Sequence, residues 1–210
     1  MTGREKIQAA FSRDGSSEIP GVICYEGIYY RDAWDKLTSS PWWYLNSHDL
    51  GHQMAWRTEI MDKIKLDWYD LPECLSRAER ENEFIEADGH EAFYVNKASG
   101  TKVRIVRPEP GGRIINPEPE RIVETTEEID MLIGDLGNFQ KEAFLEEGHA
   151  DLASKLRNGH GKDRMPLGGR ISSPLWNCYF LWGFEGFMTM VAVEPGLVKH
   201  ACERYIRNSL

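Results

Sequence analysis

The chain has 210 residues and a mass of 24.1 kDa, and it sets 25 Lys and Arg against 34 Asp and Glu for a formal charge of -9. That acid excess argues against nucleic acid as the main partner, because phosphate recognition needs surplus cations. Apolar residues make up 41 %, enough to bury a core and to exclude a disordered or fibrous chain. The length falls short of the roughly 250 residues of a complete (β/α)8 barrel.

Thr2 followed by Glu5 is a capping-box pattern, and Ile7, Ala10 and Phe11 recur at helical spacing, so a helix opens the chain. No apolar targeting segment precedes it, which gives the expectation of a soluble, cytoplasmic protein. Asp14, Gly15, Ser16 and Ser17 break the helix, and Val22-Ile23-Cys24-Tyr25 reads as a buried parallel strand ending near Glu26 and Gly27. Residues 29–44 are crowded with aromatics, divided by Pro41. A helix over 47–64 and a strand over 66–71, ending at Pro72, follow.

Phe93-Tyr94-Val95 and Val103-Arg104-Ile105-Val106 flank Lys97-Ala98-Ser99-Gly100, a β-hairpin excursion within 90–107. Prolines and glycines from Pro108 to Pro119 form a linker. Thr125 and Glu128 then give a second capping box ahead of Ile129, Leu132 and Ile133. A helix over 139–156, a loop over 159–164 and a strand over 165–171 lead to the most apolar helix, 175–193. Asn177, Glu185 and two glycines make that segment a buried helix rather than a membrane span. Pro195 suits the first turn of a last helix reaching Arg207.

Strands separated by helices define an α/β fold with a parallel sheet. Three such strands leave the 175–193 helix short of partners, so residues 1–210 read as one domain, the N-terminal portion of a TIM (β/α)8 barrel, truncated at its C-terminal side. The four cysteines lie far apart without a C-x-x-C pair, which argues against a disulfide framework or zinc ribbon and makes them reduced bystanders.

The opening Thr2-Gly3-Arg4-Glu5-Lys6-Ile7, Ile19-Pro20 ahead of a strand, Gly169-Arg170-Ile171-Ser172-Ser173-Pro174, Gly183-Phe184-Glu185 and Glu194-Pro195-Gly196-Leu197-Val198 together resemble the uroporphyrinogen decarboxylase family. That family holds both porphyrinogen decarboxylases and cobalamin-linked methyltransferases. The resemblance spans nearly the whole chain and rests on the order of its elements. It implies a site at the C-terminal ends of the strands, as barrels in general have. Strand 1 then delivers Tyr25 and Glu26, with Arg31 beyond; strand 2 delivers Asp67 and Asp70; strand 3 delivers Arg170, Ser172 and Ser173. Tyr179 falls where decarboxylases of the family carry a substrate-contacting tyrosine, with Phe180 in the adjacent register. Asp70, nearer the strand end than Asp67, is the preferred catalytic carboxylate with Tyr179; Tyr25, Glu26, Arg31, Asp67, Arg170 and Ser172 are substrate-binding candidates.

Porphyrinogen decarboxylases of the family follow strand 1 with arginines that pair with substrate carboxylates. Here the stretch is Glu26-Gly27-Ile28-Tyr29-Tyr30-Arg31, and a carboxylate in the first position repels an acidic tetrapyrrole. Methyl transfer from a small methylated substrate to a corrinoid protein is therefore the preferred reading, with decarboxylation of a porphyrinogen-like acid as the alternative. A non-catalytic half-barrel that pairs with a second copy is a third. The resemblance implies zinc bound in the family's C-terminal half; residues 1–210 are expected to supply no metal site and to hold no cofactor themselves.

Other signals have plainer explanations. His48 and His52 are four apart, as in metal-binding helices, but Asp49 and Gly51 interrupt that pattern and favour surface or capping histidines. The aromatics of 29–43 suit either packing of a long loop, the favoured reading, or stacking on a flat ligand. Glu26 with Arg31 is equally a structural ion pair or a substrate clamp.

Overall fold

A computed structural model describes residues 1–23, 25–88, 91–111, 123–134, 139–168 and 172–209. Cys24, Arg170 and most of the expected 108–119 linker lie outside them. In chain order, Gly3–Ala10 forms α1, Glu26–Leu37 α2, Trp42–Asn46 a 3-10 helix, Leu50–Ile64 α3, Trp68–Asp70 β1 and Arg77–Asn82 α4. The strands Glu83–Ala87 (β2), Ala92–Asn96 (β3) and Thr101–Ile105 (β4) follow, then Thr126–Ile133 (α5), Lys141–Glu146 (α6) and Asp151–Asn158 (α7). Met165–Leu167 (β5), Pro174–Val193 (α8) and Pro195–Ser209 (α9) complete the series. The chain is mixed α/β and rich in helix, with small sheets and no closed barrel among the described residues. Among them no helix is long and apolar enough to cross a membrane.

Two compact units are present, Met1–Gly112 with Gln140–Gly168, and Arg113–Phe139 with Gly169–Leu210. In the first, β1 and β5 pair in parallel with Trp68 opposite Met165 and Asp70 opposite Leu167. Asp67 N donates to Gly21 O at 2.9 Å, so the chain at Gly21 meets the residue just before β1. It does not become the expected strand: Val22 is exposed, and Tyr25 at φ 58° turns the chain straight into α2. A left-handed residue interrupts extended backbone, so four apolar residues alone do not make a ladder. Met165 N to Asp67 O at 2.8 Å and Leu71 N to Leu167 O at 2.7 Å bracket the parallel pair, and Pro72, lacking an N–H, follows directly.

The aromatic stretch expected as a loop is helical and forms a core. Tyr30, Trp34 and Leu37 of α2 pack on Trp56 and Ile60 of α3, with Trp56 5.7 Å from Tyr30 and 5.5 Å from Trp34 between ring centres. The expected 139–156 helix is two helices, because Gly148 at φ 88° breaks it. That turn docks on the segment after β1, with Cys74 N donating to His149 O at 3.0 Å and Arg77 N to Glu147 O at 2.9 Å. The hairpin is present and gains β2 on the far side of β3, giving the antiparallel order β2-β3-β4. The two glutamates of Glu83-Phe84-Ile85-Glu86-Ala87 concealed β2 from the pattern of apolar residues.

The second unit packs α5, α8 and α9 around Val123, Ile129, Cys178, Trp182, Met190, Val198 and Ala201. Trp182 Nε1 donates to Val123 O at 2.8 Å. α8, expected to be a buried helix, buries Cys178, Trp182 and Met190 while Trp176, Phe180 and Phe184 stay exposed. Its two halves meet at Gly183, whose φ of 69° and ψ of 178° suit only glycine.

Candidate functional site

The parallel pair ends on Asp70, and the chain then bends through Pro72. From the first turn of α2, Glu26 reaches the same end and is held at both oxygens. Tyr30 Oη donates to Oε2 at 3.0 Å, and Trp68 Nε1 donates to Oε1 at 2.9 Å. One cation faces this group from α3: the Arg57 guanidinium lies 4.3 Å over the Trp56 ring, and its Nε donates to Gln53 Oε1 at 3.2 Å.

Glu26, Tyr30, Arg57 and Asp70 share a crevice of about 20 Å³, room for a single ordered water. Burial draws the Arg57 guanidinium down to about 10 against the pull of Tyr30, Asp70 and Glu26, which still leaves a cation at neutral pH. Burial, and then the Glu26 carboxylate, push the Tyr30 phenol well above its ordinary range, so it remains a donor. Trp56 Nε1 is buried at the same crevice without a hydrogen-bond partner.

A larger cleft of about 480 Å³ opens just past the end of β1. The volume is that of a small-molecule site. Glu73 and Cys74 line it from the chain after β1, His48 and Gln53 from around the start of α3, and Ile85, Tyr94 and Ile105 from the three-stranded sheet. Gln53 connects the two spaces: it lines the cleft, accepts from Arg57, and anchors its amide on Tyr44 O at 2.8 Å and Ser47 O at 2.7 Å.

Of the residues expected at the site, the structure brings Glu26 and Asp70 together. Asp67 serves the fold instead: it is 8 % exposed, accepts from Gly21 N at 2.7 Å and pairs with Lys6 at 3.4 Å. Arg31 pairs with Asp32 at 2.6 Å and lines a shallow pocket with Trp34, Trp42 and Arg107. Tyr25 is 83 % exposed as the residue before α2. Arg170 lies outside the described residues, and Ser172, exposed, and Tyr179 belong to the second unit, where Tyr179 stacks on Trp176 at 5.1 Å. Sequence reasoning missed Arg57, Glu73 and Tyr94 as site residues, and weighed His48 only as a metal ligand with His52. Only Glu73, just past Pro72, carried a positional signal.

The two histidines do not act together. Asp49 caps α3 by accepting from His52 N at 2.8 Å, and His52 stacks on Tyr44 at 4.0 Å, whereas His48 precedes the helix and faces the Tyr94 ring. Among the described residues no group of three or more His, Cys, Asp and Glu side chains is arranged to hold a metal. Comparison of the chain with protein-family models, curated proteins and solved structures gives no match.

Proposed function

We propose that the chain supplies the opening strands of a barrel related to the uroporphyrinogen decarboxylase family and takes part in methyl transfer from a small methylated substrate to a corrinoid-carrying partner protein. One observation carries the reading: β1 and β5 pair in parallel, as neighbouring barrel strands do, Gly21 is bonded to Asp67 just before β1, and Glu26 and Asp70 line one crevice with Arg57. Eight strands close such a barrel, so the remaining strands come from outside the described residues. The third reading, a non-catalytic half-barrel that pairs with a second copy, takes those strands from the second copy and carries out no transfer.

The balance of charge favours methyl transfer over decarboxylation. Glu26 and Asp70 outnumber Arg57 at the strand ends, and Glu73 adds a carboxylate in the cleft. Such a lining repels a polycarboxylate and accepts hydrogen bonds from a small neutral or cationic molecule. Asp70 acts on that substrate through Arg57 and Gln53, which lines the larger cleft; Glu26, occupied at both oxygens, holds Tyr30 and Trp68 in place. The corrinoid supplies the methyl acceptor when its partner protein is bound, and any zinc would be held by residues beyond those described.

Methyl ethers, methyl thiols and methylated amines are each incubated with the protein and reduced cobalamin, and methylation is read from the corrinoid spectrum. Transfer that falls about 100-fold in Asp70→Asn, as expected for loss of a positioning group, supports the reading. Absence of transfer with every substrate, together with CO2 release from an acidic tetrapyrrole that Arg31→Ala abolishes, replaces it with decarboxylation.

A further inference from the structure

In the second unit, Cys178 of α8 and Cys202 of α9 face each other with their sulfurs 3.6 Å apart. The two are far apart in sequence and carry no motif, but helix packing makes each the other's hydrogen-bonding partner. Their setting is apolar. Cys178 is fully buried among Ile129, Trp182, Val198 and Ala201, while Cys202 is only partly buried beside Tyr205.

We propose that Cys178 and Cys202 form an oxidant-sensitive modification site that closes to a disulfide joining α8 to α9. A disulfide needs an S–S distance of about 2.05 Å, so the sulfurs must approach by roughly 1.5 Å, within reach of side-chain rotation. The difference in burial sets the order of events. Cys202 is the thiol that a hydroperoxide can reach. Its thiolate attacks the outer peroxide oxygen, the O–O bond breaks, and the alcohol or water leaves, giving a sulfenic acid on Cys202. Cys178 sulfur then attacks the Cys202 sulfur; the S–O bond breaks, and the departing hydroxide takes the Cys178 proton as water. Two thiols are oxidised by two electrons and one hydroperoxide is reduced.

Cys178 suits the second role. Burial, reinforced by the neighbouring thiol, pushes its pKa up to about 12, so it is a poor first nucleophile and resists direct oxidation. Once the sulfenic acid stands beside it, proximity replaces intrinsic reactivity.

Trypsin offers a direct test, because it cuts after Arg170, Lys199 and Arg204 and so places the two cysteines on separate peptides, 171–199 and 200–204. Native protein is treated with hydrogen peroxide, blocked with iodoacetamide and mapped by mass spectrometry. The expected product is these two peptides joined, two hydrogens lighter than their sum and separated by reductant, with free thiols falling from four to two. In Cys178→Ser, Cys202 is expected to accumulate as a sulfenic acid that dimedone traps. In Cys202→Ser, Cys178 is expected to stay unoxidised. The wild-type map needs no variant to fold: recovery of both cysteines as alkylated thiols after oxidation, or linkage only in denatured protein, overturns the proposal.

Discussion

The Tyr30 hydroxyl donates to Glu26 one helical turn earlier, at 3.0 Å, and so ties the aromatic core of α2 to the carboxylate beside the strand ends. Tyr30→Phe keeps the ring against Trp56 and removes this bond. It is expected to cost about 1 kcal/mol, read from the urea midpoint. The pH dependence has a definite sign. The phenol of folded protein sits above its unfolded value of about 10, so its contribution is fully present below pH ~10 and is lost as pH rises beyond it. Wild type is expected to lose stability above that pH more steeply than Tyr30→Phe.

Asp67 and Asp70 are three residues apart and have different roles. Asp67→Asn weakens the bond to Gly21 N and the Lys6 pair, with an expected cost of about 1.5–3 kcal/mol. At saturating substrate, the proposed methyl transfer by the folded fraction should be unchanged. Asp70→Asn is expected to lower the proposed transfer by the folded fraction, whatever the urea midpoint loses through the weakened attraction to buried Arg57. Denaturation and transfer measured on both variants separate the two roles.

Asp151 holds the turn after α6 against the segment that lines the cleft. Arg77 Nη2 meets it at 3.0 Å and Arg80 Nη2 at 2.8 Å, and Arg80 also donates to Gly148 O at 3.1 Å. The Arg77 hydrogen bonds, with those of Arg80, hold the Asp151 carboxyl below its ordinary range. Its stabilising contribution is therefore present above the unfolded pKa, near 3.9, and is lost as pH falls through the folded value. Urea midpoints from pH 7 down to 3 should fall less steeply in Asp151→Asn than in wild type.

Gly161 leaves no room for a side chain, since an added Cβ would sit 2.5 Å from the buried ring of Tyr69. Gly161→Ala is expected to destabilise by about 1–3 kcal/mol and to lower Tm by several degrees. Gly27, in α2 with open space around it, is the control. Gly27→Ala should leave Tm unchanged or raise it, by up to about 1 kcal/mol in helix propensity.

What depends on neighbours along the chain was legible before any tertiary contact was known. The Thr2–Glu5 box is formed at both bonds, 3.2 and 2.8 Å. Thr125 caps α5 as expected, while the Glu128 carboxylate takes Glu124 N rather than the cap residue. The hairpin around Gly100, the helix after Asp49 and the break at Pro195 were equally legible, because capping, turn chemistry and proline act within a few residues. Tertiary structure alone decided the rest. Glu26 reaches Asp70 because Tyr25 takes a left-handed conformation, and Arg57 joins them because α3 packs on α2, neither of which any local pattern encodes. Asp67 and Asp70 look alike in sequence, yet one is buried against Gly21 and Lys6 while the other stands at the strand end. Burial and long-range pairing choose between such residues, and both are set by what the fold brings from distant parts of the chain.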